Sequence, residues 1–382
     1  MPAPPRAPAP APMTPPTAPL IRLSDLDDAA HAVLDPRAWA YFSGGAADEL
    51  TLADNRRAWD ALRLWPRALR DLRGLSTATT LAGRPLAHPL LLAPVAWHRM
   101  AHADGEVGTA LAAAAQGAGM ILSCQASQPV EAVARALAEP GAGPLWFQLY
   151  PLARREDTLA LVRRAEDAGC EALVLTVDAP VHGVRDRERR AGFALPPGVG
   201  PVHLDGFAPP PPGLEGLLAL APRWDEVAWL AAQTRLPLWL KGVLHPEDAV
   251  LAADSGAVAG LIVSNHGGRT LDTAVPTAWA LPRMAAALQG RLPLVVDGGI
   301  RRGTDVLKAL ALGASAVAIG RPQVMALAAG GALGVAQMLR LLRDEFTVAL
   351  ALAGCRSPAD VHAGLLAEGP GGLPTSTPPA GR

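Results

Sequence analysis

Eight short apolar segments, each followed by a polar or amphipathic stretch, constrain this chain more than any other feature. Val, Ile and Leu dominate them, so they predict buried strands. The strands are predicted at 90–93, 119–123, 145–149, 172–177, 237–240, 258–263, 293–296 and 315–319. Helices are predicted between most of them, at 105–117, 129–138, 155–168, 224–234, 246–254, 276–289 and 303–312. Alternating strands and helices favour parallel pairing, and eight strands can close a barrel.

The rival fold for this pattern is an open, doubly wound sheet. That fold usually carries a glycine-rich turn after its first strand, whereas residues 93–97 read Ala-Pro-Val-Ala-Trp. We therefore predict an α/β protein with a (β/α)8 barrel. The 45 residues of 179–223 form the one long connection, after the fourth strand, and we expect this loop to be mobile.

Three short helices are predicted before the first strand, as an N-terminal helical lid segment. Ser24 is the expected cap of the first, Pro36 opens the second, which stops at Gly44, and Asp48 begins the third. Residues 1–19 are dominated by Pro and Ala and are expected to be disordered. We expect one domain over 20–366 and a second disordered tail over 367–382, which is rich in Gly, Pro, Ser and Thr.

The composition excludes several classes of protein. A formal net charge of −1 gives no electrostatic reason to expect a nucleic-acid partner. The three cysteines show no paired spacing, which indicates a reducing compartment and no metal site. We expect no apolar run near the roughly 20 residues of a membrane span. Since the N-terminus has prolines where a signal peptide is apolar, we expect a cytoplasmic protein without a membrane partner.

Polar residues follow every predicted strand, and a parallel barrel brings strand ends to one rim. The clusters are 94–96, Ser123, Gln148 with Tyr150, Thr176 with Asp178, Lys241, 264–269, 297–299 and 320–321. The richest is Ser264-Asn-His-Gly-Gly-Arg269. Its histidine can exchange a proton near neutral pH, and its arginine can grip a carboxylate through two hydrogen bonds. This stretch predicts a site for an acidic substrate.

Several motifs in order resemble one protein family. They are Phe147-Gln-Leu-Tyr150, Leu175-Thr-Val-Asp178, Lys241-Gly-Val243, Ser264-Asn-His-Gly-Gly-Arg269, Asp297-Gly-Gly-Ile-Arg301 and Ile319-Gly-Arg-Pro322. The chain is similar, from about residue 23 to about residue 357, to the FMN-dependent L-2-hydroxy acid oxidases and dehydrogenases, such as glycolate, lactate and mandelate oxidases. The resemblance implies a (β/α)8 barrel, a bound FMN and often a homotetramer.

The resemblance also implies catalytic roles. His266 matches the family's active-site base, which takes the α-proton or the hydroxyl proton as a 2-hydroxy acid becomes a 2-keto acid. Asp178 matches the carboxylate that pairs with this histidine and favours the imidazolium. Taken alone, His266 more often caps a strand end than acts as a base, and Asp178 is a reasonable cap for the next segment.

Four residues match positions that contact the substrate. Arg269 and Arg185 correspond to the arginines that bind its carboxylate, and Tyr41 and Tyr150 to hydroxyls that face it. Arg269 and Tyr150 thereby count among the expected catalytic residues. Without the resemblance, Arg185 lies in a run of charges that indicates a solvated face, and a buried tyrosine needs only one hydrogen bond.

The remaining matches are to cofactor contacts. Lys241 corresponds to a lysine whose charge stabilises the reduced flavin ring. Without the resemblance, a lysine at this position indicates only a side chain that extends its charged end to the surface. Further FMN contacts are expected from Pro94, Val95, Ala96, Ser123, Gln148, Thr176 and Ser264, and ribityl or phosphate contacts from Asp297, Gly298, Gly299, Arg301, Gly320 and Arg321. Without the resemblance, the last group predicts only a phosphate-bearing ligand.

Departures from the family pattern leave the substrate open. Gln125 stands where glycolate oxidases have tryptophan, and His182 and Val184 differ within the long loop. Trp97 is a further candidate for the pocket wall. Ala96 resembles the oxidase members, whereas several dehydrogenases have glycine there, which favours oxygen as the electron acceptor.

The sequence is therefore compatible with three functions. The favoured one is oxidation of an (S)-2-hydroxy acid to a 2-keto acid with reduction of O2 to H2O2. The second is the same oxidation with electrons passed to a quinone or a protein. The third, of another class, is a barrel that binds a phosphate ligand without redox chemistry. Such a barrel would not need His266, Arg269 and Tyr41 together.

Overall fold

A computed structural model, which describes residues 20–367, shows a closed barrel of eight parallel strands. The strands of the molecule are β1 (Arg63–Leu64), β2 (Thr79–Leu81), β3 (Arg84–Leu86), β4 (Leu90–Leu92), β5 (Gly119–Ser123), β6 (Leu145–Leu149), β7 (Ala172–Thr176), β8 (Leu238–Val243), β9 (Gly260–Val263), β10 (Leu294–Val296), β11 (Ala316–Ile319) and β12 (Leu366–Ala367). The barrel order is β10-β11-β4-β5-β6-β7-β8-β9. The predicted (β/α)8 barrel is confirmed.

Helices surround the barrel and connect its strands. They are α1 (Asp25–Val33), α2 (Pro36–Ser43), α3 (Leu50–Ala61), α4 (Gly105–Gln116), α5 (Val130–Leu137), α6 (Arg155–Asp167), α7 (Asp186–Arg190), α8 (Gly213–Ala219), α9 (Trp224–Ala232), α10 (Pro246–Asp254), α11 (Thr277–Leu288), α12 (Gly303–Ala311) and α13 (Arg321–Ala353). The helices predicted between the strands correspond to α4, α5, α6 and α9 to α12.

The barrel interior is filled by large side chains from alternate strand positions. Trp146 of β6 and Trp239 of β8 lie with ring centroids 4.7 Å apart, and Ile121, Ile262 and others pack on them. Gly260 makes room for this pair, since a Cβ there would lie 2.3 Å from the Trp239 ring. The interior is therefore a packed core, and a ligand must bind at an end of the barrel.

The N-terminal helices pack at the rim formed by the carboxyl ends of the strands. In α3, the indole of Trp59 donates to the carbonyl of Gly298 (2.8 Å), and Asn55 exchanges amide hydrogen bonds with Asn265 (2.9 and 2.8 Å). These contacts join α3 to the loops that follow β9 and β10. The predicted lid segment is thus a docked part of the rim.

Three details of this segment differ from the prediction. Ser24 makes no side-chain cap bond; the carboxylate of Asp25 instead accepts from the backbone N–H groups of Ile21 and Arg22 (both 3.1 Å). The third helix begins at Leu50 and not at Asp48, because the preceding residue has a left-handed φ of 62°. The second helix begins at Pro36 as predicted.

The long helix α13 was not predicted. It runs for 33 residues and is interrupted at Gly330 and Gly331, whose backbone angles are not helical. By length and composition it is the one helix among residues 20–367 that could cross a membrane, contrary to the expectation of no such apolar segment. Of its most apolar window, 56% is buried inside the protein. It packs against α4, α1 and α12.

The ends of the described chain bear on the predicted domain limits. The tail predicted over 1–19 lies outside the described residues, as does the tail over 367–382 except for its first residue. Ala367 pairs with Arg63 in the β1–β12 sheet, so the folded unit reaches at least this residue.

Candidate active site

A cavity of about 930 Å³ opens at the carboxyl ends of the barrel strands. It is lined by all the predicted site residues except Asp178 and Ser264. The lining set is Tyr41, Pro94, Val95, Ala96, Ser123, Gln148, Tyr150, Thr176, Arg185, Lys241, His266, Arg269, Asp297, Gly298, Gly299, Arg301, Gly320 and Arg321. The structure thus brings to one cavity residues that are spread over nearly 300 positions of sequence, Tyr41 to Arg321.

His266 is held in a strained turn directly after β9. It has a φ of 57°, and Gly267 and Gly268 continue with 64° and 73°. Left-handed backbone at a non-glycine residue costs of order 1 kcal/mol and is most common where function requires it. The Nδ1 of His266 lies 3.0 Å from Oδ1 of Asp178, which leaves Nε2 as the nitrogen available to a ligand.

Asp178 reaches the histidine because β8 has no side chain at Gly242. A Cβ at Gly242, where φ is 107°, would lie 2.4 Å from the Asp178 side chain. The side chain of Asp178 is 8% exposed, and it stands behind His266 and not in the cavity wall. Its Oδ2 is buried and has no hydrogen-bond partner among the described residues.

The protonation states suit a base that is ready to accept a proton. Burial lowers the pKa of His266, and the Asp178 carboxylate only partly offsets this effect. Burial alone would raise the pKa of Asp178, but the His266 ring and Lys241 outweigh it and leave the pKa below its ordinary value. A neutral imidazole beside an ionised carboxylate follows, with Nδ1–H donating to Asp178.

Lys241 and Asp297 form a buried ion pair in the cavity wall. The Lys241 Nζ lies 3.2 Å from Oδ2 of Asp297, and both side chains are less than a tenth exposed. The strand pairing of β8 shifts register between Lys241 and Val243, and such an irregularity re-aims a side chain. Asp297 Oδ1 is buried without a partner among residues 20–367, so it can accept from a hydroxyl of a ligand.

Ser264 lies next to Lys241 and His266. Its hydroxyl accepts from Lys241 Nζ (2.8 Å) and from the backbone N–H of His266 (3.0 Å). The residue is fully buried and does not line the cavity. Ser264 therefore positions the lysine and the histidine and is not itself a wall residue.

A hydrogen-bonded row of polar side chains crosses three neighbouring strands. Ser123 Oγ donates to Gln148 Oε1 (3.1 Å), and Gln148 Nε2 donates to Thr176 Oγ1 (3.0 Å). All three are buried, yet all three face the cavity. Such a row offers fixed donors and acceptors to the edge of a flat polar ligand.

Two partly buried arginines, Arg301 and Arg321, make no salt bridge within the described chain. Arg321 donates to the carbonyls of Phe42 (3.1 Å), Gly267 (2.7 Å) and Gly44 (2.6 Å). Burial, with Arg269 and Arg301 nearby, lowers the pKa of Arg321 to about 9. Burial likewise lowers the pKa of Arg301. Two neighbouring guanidiniums that make no salt bridge favour an anion, and a phosphate suits their geometry.

Arg269 and Arg185 lie together on another side of the cavity. Arg269 Nη1 donates to the carbonyl of Gly44 (3.0 Å) and to that of Tyr41, and its guanidinium stands 4.7 Å from the Tyr41 ring centroid. Arg185 Nε lies 3.4 Å from the carbonyl of Arg269. Arg185 therefore faces the cavity, although it belongs to a run of charges that by itself indicates a solvated face.

Sequence reasoning missed one residue of this cluster, Glu188. Its Oε1 lies 3.0 Å from Arg269 Nη2 and 3.4 Å from Arg185 Nη1. It follows Arg185 by three residues, a spacing that places both on one face of a helical turn. This spacing could have predicted that Glu188 pairs with Arg185, but every residue from 185 to 190 is charged, so the pair did not stand out in the sequence.

An aromatic wall continues from Tyr41. Its ring stacks on Phe193 with centroids 4.8 Å apart and lies 5.2 Å from Trp97. Trp97 has a left-handed φ of 55°, and its Nε1 is buried without a partner among the described residues. Gln125, His182 and apolar residues of the long connection, such as Leu204 and Leu217, complete the cavity.

The sequence profile described as FMN-dependent dehydrogenase matches residues 30–368. The chain belongs to this family. FMN fits the polar groups that line the cavity. The phosphate matches Arg301 and Arg321, a ribityl hydroxyl matches Asp297 Oδ1, and the ring edge matches the row from Ser123 to Thr176. Membership of this family excludes the alternative of a barrel that binds a phosphate ligand without redox chemistry.

Two similar proteins and one similar solved structure are named as oxidases. The chain is 44% identical to an L-lactate oxidase of Nostoc sp., over 91% of this chain and 98% of that protein. It is 42% identical to the glycolate oxidase of Spinacia oleracea, over 90% and 94%. Among solved structures, a mandelate oxidase bound to (S)-2-phenylpropionate matches with a TM-score of 0.83 and 44% identity, over 91% of this chain and 98% of that one.

Proposed function

We propose that the protein oxidises an (S)-2-hydroxy acid to the 2-keto acid and passes the two electrons, through FMN, to O2 to give H2O2. The observation that carries the proposal is His266, backed by Asp178 at 3.0 Å, in one cavity with five arginines and Lys241. A base beside an anion clamp matches a substrate that has a proton to lose next to a carboxylate. Oxidase relatives that act on lactate, glycolate and mandelate support this chemistry.

Each group in the cavity has a defined task in this reaction. Arg269 and Arg185 bind the substrate carboxylate, and Tyr41 and Tyr150 place their hydroxyls along its polar edge. His266 accepts through Nε2 the proton that the substrate loses, and Asp178 stabilises the resulting imidazolium through Nδ1–H. Lys241 stabilises negative charge that develops on the ring side of the cavity. Bound FMN would accept the two electrons together with the second hydrogen that the substrate loses.

The decisive experiment mixes the FMN-loaded protein anaerobically with glycolate, L-lactate and (S)-mandelate in turn. Bleaching of the oxidised flavin absorbance is expected with at least one of them. The D enantiomers are the control and are expected to leave the absorbance unchanged. A protein that cannot be loaded with FMN, or whose flavin no 2-hydroxy acid reduces, refutes the proposal.

The electron acceptor is tested separately, by admitting oxygen to the reduced protein. The oxidase proposal expects reoxidation within seconds and one H2O2 for each 2-keto acid formed. Reduced flavin that persists for minutes in air refutes it and favours the dehydrogenase alternative, with a quinone or a protein as acceptor. Ala96, which lines the cavity, and the oxidase names of the relatives support the first outcome.

We further propose a cytoplasmic homotetramer without a membrane or nucleic-acid partner. The three cysteines, which are buried and unpaired, and the net charge of −1 support the location and the lack of a nucleic-acid partner. The tetramer rests on the family resemblance. Cell fractionation and sedimentation velocity test these points, and a monomer or a membrane-bound pool would contradict them.

A further inference from the structure

Glu188 places a carboxylate of the chain itself between the two guanidiniums that are proposed to bind the substrate. Its Oε1 lies 3.0 Å from Arg269 Nη2 and 3.4 Å from Arg185 Nη1. The side chains of Arg185, Glu188 and Arg269 are only 17%, 13% and 12% exposed. Water screens charges poorly at such sites, so this contact is strong compared with a surface ion pair.

The donors that Glu188 uses are the ones a ligand needs. Arg269 Nη1 is already committed to the carbonyls of Tyr41 and Gly44. The part of the guanidinium left for a carboxylate therefore includes Nη2, and Nη2 donates to Glu188. A substrate carboxylate that engages Arg269 and Arg185 must take over or share these donors.

The element that carries Glu188 is anchored outside the cavity. Arg187, the preceding residue on α7, pairs with Glu49 and donates to Ser43 Oγ (3.1 Å). These contacts join α7 to α2 and to the start of α3. Glu188 is therefore held at the cavity wall by bonds that do not depend on a ligand.

We propose that Glu188 is an internal competitor for the substrate carboxylate, and that it sets the affinity of the site for 2-hydroxy and 2-keto acids. The inference rests on the proposed function, because it takes Arg185 and Arg269 as the carboxylate clamp. Glu188 neutralises the clamp when no acid is bound and weakens the binding of each acid by the free energy of its own displacement. It thereby favours release of the 2-keto acid product.

The test is calorimetric titration of the FMN-loaded protein with pyruvate, which gives a Kd without turnover. Glu188→Gln keeps the shape of the side chain and removes its charge, so we expect pyruvate to bind roughly tenfold more tightly. Asp186→Asn is the matched control. It removes the same charge from α7, but Asp186 faces Arg189 (3.8 Å) and does not line the cavity, so the Kd should stay within about twofold.

The opposite result overturns the inference. If Glu188→Gln binds pyruvate equally or more weakly while Asp186→Asn matches the wild type, Glu188 only positions the arginines. If Glu188→Gln does not fold, Glu188→Asp decides the question, because the shorter side chain draws back from Arg269 and should also tighten binding. A wild type that binds FMN but neither binds pyruvate nor is reduced by any 2-hydroxy acid refutes the proposed function itself.

Discussion

His266 and Asp178 lie 3.0 Å apart, Nδ1 to Oδ1, although 88 positions separate them in the sequence. One follows β9 and the other follows β7, and the strand between them, β8, carries glycine at the point where the carboxylate passes. The pair is thus assembled by three adjacent strands of the barrel. Its orientation selects Nε2 of His266 as the proton acceptor.

Asp178→Asn tests the role of this pair. The amide keeps the size of the side chain but cannot stabilise an imidazolium, so the rate of flavin reduction by substrate should fall by about 100-fold or more. Stopped-flow absorbance under anaerobic conditions measures the rate. Asp225→Asn, a surface control with 65% side-chain exposure, should be unaffected, and full activity in Asp178→Asn would remove the carboxylate from the mechanism.

The pH profile of the same reaction follows from the lowered pKa of His266. The base works only when neutral, so kcat/KM should rise with pH through this pKa and level off above it, with the acid limb below the ordinary pKa of histidine. Asp178 raises the pKa of His266 against the effect of burial. The acid limb of Asp178→Asn should therefore move to lower pH; a shift to higher pH would contradict the assigned charges.

Arg321→Gln tests the anion site. Loss of this cation should weaken FMN binding by about tenfold or more, whereas riboflavin, which lacks the phosphate, should bind nearly as before. Fluorescence quenching of the two flavins gives both Kd values. Arg340→Gln is the control on the same helix, with 70% side-chain exposure. Equal losses for FMN and riboflavin would indicate a general disruption of the rim.

Lys241→Met tests the charge beside the ring. A neutral side chain no longer stabilises the reduced flavin, so its reduction potential should fall by roughly 30 mV or more. Spectroelectrochemical titration measures the potential. Lys308→Met is the matched control, since Lys308 is also buried but donates to the carbonyl of Trp59 (2.8 Å) and does not line the cavity. An unchanged potential in Lys241→Met would exclude the assigned role.

The docking of α3 at the rim can be tested through one arginine with two partners. Arg56 pairs with Asp305 (2.6 Å), whose side chain is 1% exposed, and with Asp60 (2.7 Å), whose side chain is 65% exposed. Asp305→Ala removes the buried partner of Arg56 and the acceptor of the backbone N–H groups of Arg301 and Arg302 (both 2.9 Å), and should cost about 3 kcal/mol of unfolding free energy. Asp60→Ala should cost less than about 1 kcal/mol. Denaturant unfolding compares the two, and equal costs would contradict the burial argument.

The alternation of apolar with amphipathic segments was enough to predict the barrel, because each barrel strand is buried on both faces and each intervening helix buries at least one face. It was not enough for α13, whose Gly330-Gly331 pair suggests a break in any helix. In the structure the helix resumes after the pair, since Asp104 accepts from the backbone N–H of Ala332 (3.1 Å). That contact is long-range and leaves no local pattern.

The active site likewise has features that the sequence predicted and features that it did not. The sequence by itself determined which residue types stand at each strand end, and thereby the histidine, the clamp arginines and the lysine. Only the tertiary structure decided that Ser264 lies behind the wall and that Glu188 faces inward between Arg185 and Arg269. The physical reason is that local sequence governs strand and helix, whereas the direction of a polar side chain depends on charges brought near it by distant parts of the chain.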